Sequence, residues 1–440
     1  MLRTQIPGYF KTRRDQLMKA HPGAAFFFPA SPVYLRNPSV HYPFRQDSNF
    51  QYLTGFDEPE SFLVLAPNKA GVSGYRMVLF VQPRDPEMEL WEGERYGIEG
   101  AQKVFGADEA YSIHDLDKRL PGLLDGCEKL YFRVGRNPDQ DRRVVAALEA
   151  HRASQGRTGR ALLPLEDSNQ AISELRLFKT PDEVELMRKA CRISALAHQT
   201  AMKETRPGMN EREVEALIDF VFRREGCDRV GYGSIVAGGK NATCLHYRYN
   251  NEVLKEGDLL LIDAGGEYSY YTADITRAFP VGRSFTPAQA KAYKLVLDAQ
   301  KEAISCVRPG TTLVEIHLRA CEVLTEGMLS LGLLQGNSKE IIRNKEYRRF
   351  YPHNTSHWLG MDVHDVGLYY KNDEPRVLEP GMVLTVEPGF YVQPSDHKAP
   401  AEFHTIGIRI EDDVLVTSDG HDILSKDAPK EIAEIEALRF

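Results

Sequence analysis

Residues 257–266 read GDLLLIDAGG. Positions 259–262 form a continuous apolar run with the length and branching of a buried strand, yet the run ends on a carboxylate, Asp263. A bare carboxylate in a protein interior is costly unless it is paired, hydrogen-bonded or bound to a metal. The explanation lies in a second copy. Residues 254–266, LKEGDLLLIDAGG, align without gaps on residues 378–390, LEPGMVLTVEPGF, so that Leu254 falls on Leu378, Gly257 on Gly381, Gly265 on Gly389 and Asp263 on Glu387. Agreement of the glycines and the acid together points to a repeated core rather than to two similar strands.

Each copy is followed by a second strand carrying another acid. After Asp263 the glycines permit a tight turn, and the chain returns through YSYYTADITRAF with Asp274; after Glu387 it returns through TIGIRIEDDVLV with Glu411. In one continuous strand, residues eleven apart face opposite sides, but with a turn between them they sit side by side. Two hairpins related by pseudo-symmetry thus direct four carboxylates into one space. Acids that close repel and raise one another's pKa unless cations lie among them. Just before the second copy, HNTSHWLGMDVHDVG adds His353, His357 and His364. An oxygen-rich set with one imidazole suits Mn2+ foremost, then Zn2+ or Co2+. The natural arrangement is two divalent ions about 3.5–4 Å apart that share carboxylates and a bridging water or hydroxide.

The 440 residues are 42% hydrophobic and carry 55 basic and 63 acidic side chains, for a net charge of -8. That is enough for a large core and two or three domains. Without long blocks of one sign there is no support for a nucleic-acid or anionic-membrane surface; a small or peptide ligand fits better. No stretch of about 18 apolar residues occurs, and MLRTQIPGYFKTRRDQLM lacks an apolar core followed by a small-residue cleavage site, so the expected location is the cytoplasm. Cys127, Cys191, Cys227, Cys244, Cys306 and Cys321 are scattered without CxxC spacing. They read as reduced, mostly buried residues, neither a disulfide framework nor a thiolate metal site.

Residues 1–170 carry AAFFFPA, FLVLAP and RMVLFVQP between turn-rich connectors, an α/β texture. It changes near residue 170. ISELRLFKTPDEVELMRKACRISALAHQTAMKE has helical spacing, with Thr180, Pro181 and Glu183 as a capping box and proline at the first helical position. Thr286, Pro287 and Gln289 repeat that signal, and NEREVEALIDFVFRREG and TTLVEIHLRACEVLTEGMLSLGLL also read as helices. The expected class is α/β (α+β): a smaller α/β domain, residues 1–170, followed by a larger domain, residues 171–440, with a pseudo-two-fold repeat.

LIDAGGEYSYYTADITR, SHWLGMDVHDVG, TVEPG and GIRIED, in this order, resemble the M24 metallopeptidases of the pita-bread fold, most closely their aminopeptidase P (Xaa-Pro aminopeptidase) branch. YPFRQDSNFQYLTGFDEPES, residues 42–61, resembles the N-terminal domain of the same enzymes, so the likeness covers most of the chain. It implies that Asp263 chelates the first metal, that Asp274 and Glu411 bridge both, and that His357 and Glu387 complete the second. It also implies that Glu387 handles a proton, and that His246 in CLHYRYN, His353 and His364 bind substrate or assist catalysis, with His364 best placed to steady an oxyanion. Arg409, two residues before Glu411 and so on the same strand face, is placed to orient that ligand or to hydrogen-bond the histidines. Taken singly, each acid is as well explained as a turn or cap residue, and each histidine as satisfied core. Types, order and repetition together are not.

The implied activity is release of an N-terminal residue from peptides with proline second, through a metal-bridging hydroxide. Bonds to proline nitrogen are tertiary amides without an N–H, and a site that holds the carbonyl does not need that hydrogen. Prolidase, an Xaa-Pro dipeptidase with the same ligands, is the nearest alternative; a metal-free binding protein on the same fold is the alternative outside enzymes, opposed by retention of all five ligands. Methionine aminopeptidases fit less well, since their shorter forms lack the N-terminal domain. The family often assembles through N-terminal domains, implying a homodimer or tetramer, and Trp91 in ELWEGERYG lies at such a contact or packs within its own chain. Two stretches depart from the family pattern. Residues 354–356, Asn-Thr-Ser, stand where relatives have glycine directly after the histidine, a turn that asparagine sustains by tolerating a left-handed backbone; residues 271–273, Tyr-Thr-Ala, stand where relatives often have a glycine.

Overall fold

The computed structural model describes residues 7–68, 72–159 and 161–439; the first six residues of the N-terminal stretch considered above lie outside them. The chain divides into two compact units, Met1–Leu175 and Arg176–Phe440.

The first unit holds a mixed sheet of β1 (Ala24–Pro29), β2 (Phe62–Pro67), β3 (Tyr75–Val81), β4 (Glu109–Ser112), β5 (Lys129–Tyr131) and β6 (Leu165–Glu166), in the spatial order β4-β3-β2-β1-β5-β6. β1 pairs antiparallel with β2 and parallel with β5. Its sequence AAFFFP is apolar throughout because both faces are covered: Phe27 stacks on Phe62 with ring centroids 5.4 Å apart, and Phe26 stacks on Tyr131 at 4.6 Å. The short helix Pro86–Glu92 buries none of its residues, and Trp91 is 79% exposed, so this ring is not packed within its own chain.

The second unit packs α1 (Pro181–Glu204), α2 (Glu211–Arg224), α3 (Pro287–Ser305) and α4 (Leu313–Ser330) around two hairpin systems. Both capping boxes form: Thr180 Oγ1 accepts from the Glu183 N–H while the Glu183 carboxylate accepts from the Thr180 N–H, and Thr286 and Gln289 do the same. Asn210 with Glu213 and Thr312 with Glu315 cap α2 and α4 in the same way. Each such cap contributes about 1 kcal/mol. Among the described residues no helix is long and apolar enough to cross a membrane. All six cysteines are unpaired, four of them buried.

The first hairpin system comprises β7 (Ile235–Gly238), β8 (Leu259–Asp263), β9 (Gly266–Tyr268), β10 (Tyr271–Thr272) and β11 (Thr276–Pro280). The second comprises β12 (Val383–Val386), β13 (Gly389–Tyr391), β14 (Gly407–Arg409) and β15 (Asp412–Val416). β8 lies between β7 and β11, antiparallel to both, and LLLI is apolar on every residue because both faces of the strand are buried. Leu260 and Ile262 enter a core with Phe279, Val296 and Leu324; Leu261 enters a separate cluster with Ile235, Tyr247 and Tyr391.

Strand register corrects two expectations. β8 and β11 pair Asp263 with Thr276, and β9 and β10 pair Glu267 with Thr272. In the second system Val386 pairs with Asp412 and Gly389 with Arg409. Each ladder keeps one register throughout. Glu411 therefore stands opposite Glu387 where Thr276 stands opposite Asp263, and Arg409 holds the place of Asp274. The first strands deliver equivalent acids, but the second strands deliver theirs from different rungs. The glycines, too, act differently from expectation: Gly265 and Gly266 lie outside the left-handed region, which the chain enters instead at Ser269 (φ 50°) and Tyr270 (φ 72°). A Cβ on Gly265 would stand 1.8 Å from the Ala273 carbonyl oxygen, and one on Gly266 2.6 Å from Cys227 Sγ. These glycines admit close approach of neighbouring chain rather than turn it.

Candidate metal centre

His246, Asp263, Asp274, His353, His357, His364, Glu387, Arg409 and Glu411 all line one cavity of about 700 Å³ in the second unit. Its tightest group is Asp274, His357 and Glu411, which offer ligand atoms all within 4.8 Å of one another. Asp263 and Glu387 flank it. His357 Nε2 lies 3.4 Å from Asp274 Oδ2 and 3.5 Å from Glu387 Oε1. Asp263 shares a phenol with Asp274: the Tyr232 hydroxyl is 2.5 Å from Oδ1 of each.

Backbone contacts hold these groups in place. The segment 353–357 runs beside β12, with the Glu387 N–H donating to the Thr355 carbonyl at 2.8 Å and the Thr385 N–H to the His357 carbonyl at 3.0 Å. His357 Nδ1 donates to its neighbour's carbonyl, at Trp358, over 3.1 Å, which leaves Nε2 directed at the acids. The Asp274 N–H donates to Asp413 at 3.0 Å. Asn354 does not adopt the left-handed backbone expected of it; the segment is kept by its pairing to β12, so no glycine is needed. Tyr271 places its hydroxyl 2.6 Å from Glu183, away from the acids.

Arg409 is the fixed countercharge. It donates to Asp263, through Nε to Thr276 Oγ1 at 3.1 Å, and through Nη1 to the Tyr391 hydroxyl at 3.1 Å. The Thr276 hydroxyl donates to Glu411 at 2.6 Å, and Tyr391 donates to His353 Nε2 at 2.9 Å while His353 Nδ1 donates to the Asn354 carbonyl at 2.8 Å. Burial and the Arg409 charge push His353 down to about 3, so its 3.8 Å approach to Glu387 is that of a neutral imidazole and not an ion pair. His364 stacks edge-on against His357 with centroids 4.4 Å apart, and burial followed by that neighbour's charge lowers its pKa. Tyr232, Thr276 and Tyr391 belong to no motif that marks them in the sequence. The one local signal was Gly231 before Tyr232, where a Cβ would stand 1.9 Å from Thr272 Oγ1.

The electrostatics are those of a cation site. Burial, then the Asp274, Glu387 and Asp263 charges, push Glu411 well above the carboxylate range. Burial pushes Glu387 up to about 7 and raises Asp274. Burial alone would lower His357, but the Asp274 hydrogen bond and the acid charges lift it to about 9. Without metal, the imidazolium and shared protons hold the acids together. The single proton of Tyr232 can serve only one of its two carboxylates at a time, so the other oxygen calls for positive charge. Oxygen donors around one imidazole, short of counter-cations, fit hard to intermediate divalent ions.

Metallopeptidase family M24 matches residues 185–418, and the aminopeptidase P N-terminal domain matches residues 10–131. The Xaa-Pro aminopeptidase of Escherichia coli (strain K12) is 41% identical over 98% of this chain and 97% of its own. The solved structure of Pseudomonas aeruginosa aminopeptidase PepP superposes with a TM-score of 0.95 at 44% identity, covering 99% of this chain and 98% of that one. Zinc-substituted E. coli aminopeptidase P in complex with product gives 0.94 at 40% identity, again over 99% and 98%. The second unit has the pita-bread architecture expected, and the chain belongs to metallopeptidase family M24, in its aminopeptidase P branch.

Proposed function

We propose that this protein is a dinuclear-metal aminopeptidase that releases the N-terminal residue from peptides with proline second. The observation that carries the reading is the buried convergence of Asp274, His357 and Glu411, flanked by Asp263 and Glu387. In this reading Asp263 serves one metal, Asp274 and Glu411 serve both, and His357 and Glu387 serve the other. Two divalent cations, manganese before zinc or cobalt, supply Lewis acidity for the scissile carbonyl and lower the pKa of water towards ~7.

The chain's own residues supply the rest. Glu387, which lines the cavity beside His357, is placed to take a proton from the attacking water and return it to the departing amine. His364, kept neutral by its surroundings, donates a ring N–H to the developing oxyanion. His246 lines the same cavity and contacts the peptide. His353 has both ring nitrogens engaged, so it presents ring surface to the substrate and, through Tyr391, steadies Arg409. The exposed Trp91 supports assembly into a homo-oligomer.

The test compares Xaa-Pro with Xaa-Pro-Yaa peptides in the presence of Mn2+. Cleavage of the longer peptide, lost in Asp263→Asn together with metal but not with fold, is the expected result. Preference for the dipeptide would move the reading to an Xaa-Pro dipeptidase; bound metal without hydrolysis of any such peptide would make the chain a binding protein.

A further inference from the structure

Histidines aside, the charged groups on the cavity wall are Asp263, Asp274, Glu387, Glu411, Arg409 and Arg248. Arg409 is wholly engaged inside the protein. Arg248 is not. Its guanidinium lies 5.8 Å from the exposed ring of Tyr249, and among the described residues no carboxylate pairs with it.

An exposed arginine is ordinarily a solvated surface group, but this one sits on an anchored loop. On one side the Tyr247 hydroxyl donates to Glu211 at 2.9 Å. On the other the buried Asn250 accepts from the Val236 N–H at 3.0 Å and donates to the Ser234 carbonyl at 2.8 Å, from a left-handed backbone at φ 45°. Two buried polar anchors thus bracket residues 248 and 249 and hold the loop on strand β7. His246, two residues earlier, lines the same cavity. A cation held on the wall of an otherwise acidic cavity seeks an anion, and the cavity's acids are committed to the metal centre.

We propose that Arg248 is a specificity-determining residue that pairs with the free C-terminal carboxylate of a short peptide. The inference rests on the aminopeptidase reading above. A peptide whose amine end lies at the metal centre presents its negative end on the leaving-group side. Each added residue moves that carboxylate by about 3.3–3.6 Å, so a cation on a fixed loop favours one peptide length. Free acids of that length bind better than their amides or than longer chains. A pair at an open rim contributes about 1 kcal/mol, or roughly fivefold, and is screened by salt.

The experiment uses the manganese-loaded protein with Xaa-Pro-(Yaa)n peptides of increasing length, each as free acid and as C-terminal amide. The acid is expected to exceed the amide in kcat/KM by about fivefold at one length, through KM rather than kcat, with the ratio falling at high salt. R248Q is expected to bring the ratio to about one, and R248K to restore part of it. Calorimetric titration with Pro-Yaa and its amide reads the same preference without turnover. Equal ratios in the wild type and R248Q at every length overturn the proposal alone. Failure to cleave any member of the series overturns the aminopeptidase reading, and the proposal with it.

Discussion

Loading the metal centre should expel protons, and the structure sets how many. Metal donors must be unprotonated to bind, yet in the metal-free protein His357 is lifted to about 9 and Glu387 to about 7, while Glu411 lies well above the carboxylate range. At pH 7 the imidazole carries nearly one proton and Glu387 about half of one, and the upward shift of Glu411 adds to them. The expected release is therefore at least about one and a half protons per filled site. It shrinks as pH rises through 7 and then 9, because first Glu387 and then His357 is already deprotonated. The assay is calorimetric titration of Mn2+ into chelator-treated protein at pH 7, in buffers that differ in ionisation enthalpy. The slope of observed heat against buffer ionisation enthalpy gives the proton count. A slope indistinguishable from zero between pH 6 and pH 8 would refute the reasoning, since it would mean that the five donors hold their charges without mutual penalty.

The same shifts act on stability. Glu387 and His357 both have raised folded-state values, so each contribution is complete below its unfolded value and is lost as pH rises through the folded one: from about 4.5 to about 7 for Glu387, and from about 6.5 to about 9 for His357. Each shift corresponds to about 3 kcal/mol; in chelator the melting temperature should fall from pH 5 to pH 9 and recover with Mn2+, and a flat profile would contradict this. Asp412 lies fully buried against Arg277, Gln300, Ser425 and Lys430 at 2.6–2.7 Å. D412A leaves Arg277 a buried uncompensated charge and should lose about 3–5 kcal/mol in guanidinium denaturation. G265A sets a methyl against the Ala273 carbonyl; it should lose about 1–3 kcal/mol and weaken Mn2+ binding by displacing Asp274, whereas wild-type affinity would show that the close approach is dispensable.

The division into an α/β unit and a repeated metal-binding unit was legible because each rests on local chemistry. The capping boxes at Thr180 and Thr286 are four-residue signals that tertiary packing had no cause to override. The apolar runs AAFFFP and LLLI read as central strands because both faces of each are covered. The repeat was legible in its first strands, where glycines and acid align without gaps. Its second strands were not, because the loops between differ in length. Only the ladders, continued at one register, make Asp274 equivalent to Arg409 and Thr276 to Glu411. Tyr232, Thr276 and Tyr391 stayed invisible for a further reason: hydroxyl groups far apart in sequence gain meaning only once strand register sets them beside a carboxylate.

That broken equivalence has a chemical consequence. Had both second strands carried an acid at the Asp274 rung as well as at the Glu411 rung, the cavity would hold more carboxylates than two divalent ions neutralise. Instead one rung carries Arg409 and another carries Thr276, whose hydroxyl links Arg409 to Glu411. In the two-metal reading proposed above, four carboxylates and one guanidinium leave three negative charges, which two divalent cations would exceed by one. In a buried cavity that single positive charge is strong. It would favour an anion at the centre, such as the oxyanion into which an attacked carbonyl turns. Arg409 thus does more than orient Asp263. By replacing an acid in the repeat, it would set, in that reading, the charge balance that lets the same site attract a nucleophile and steady what the nucleophile makes.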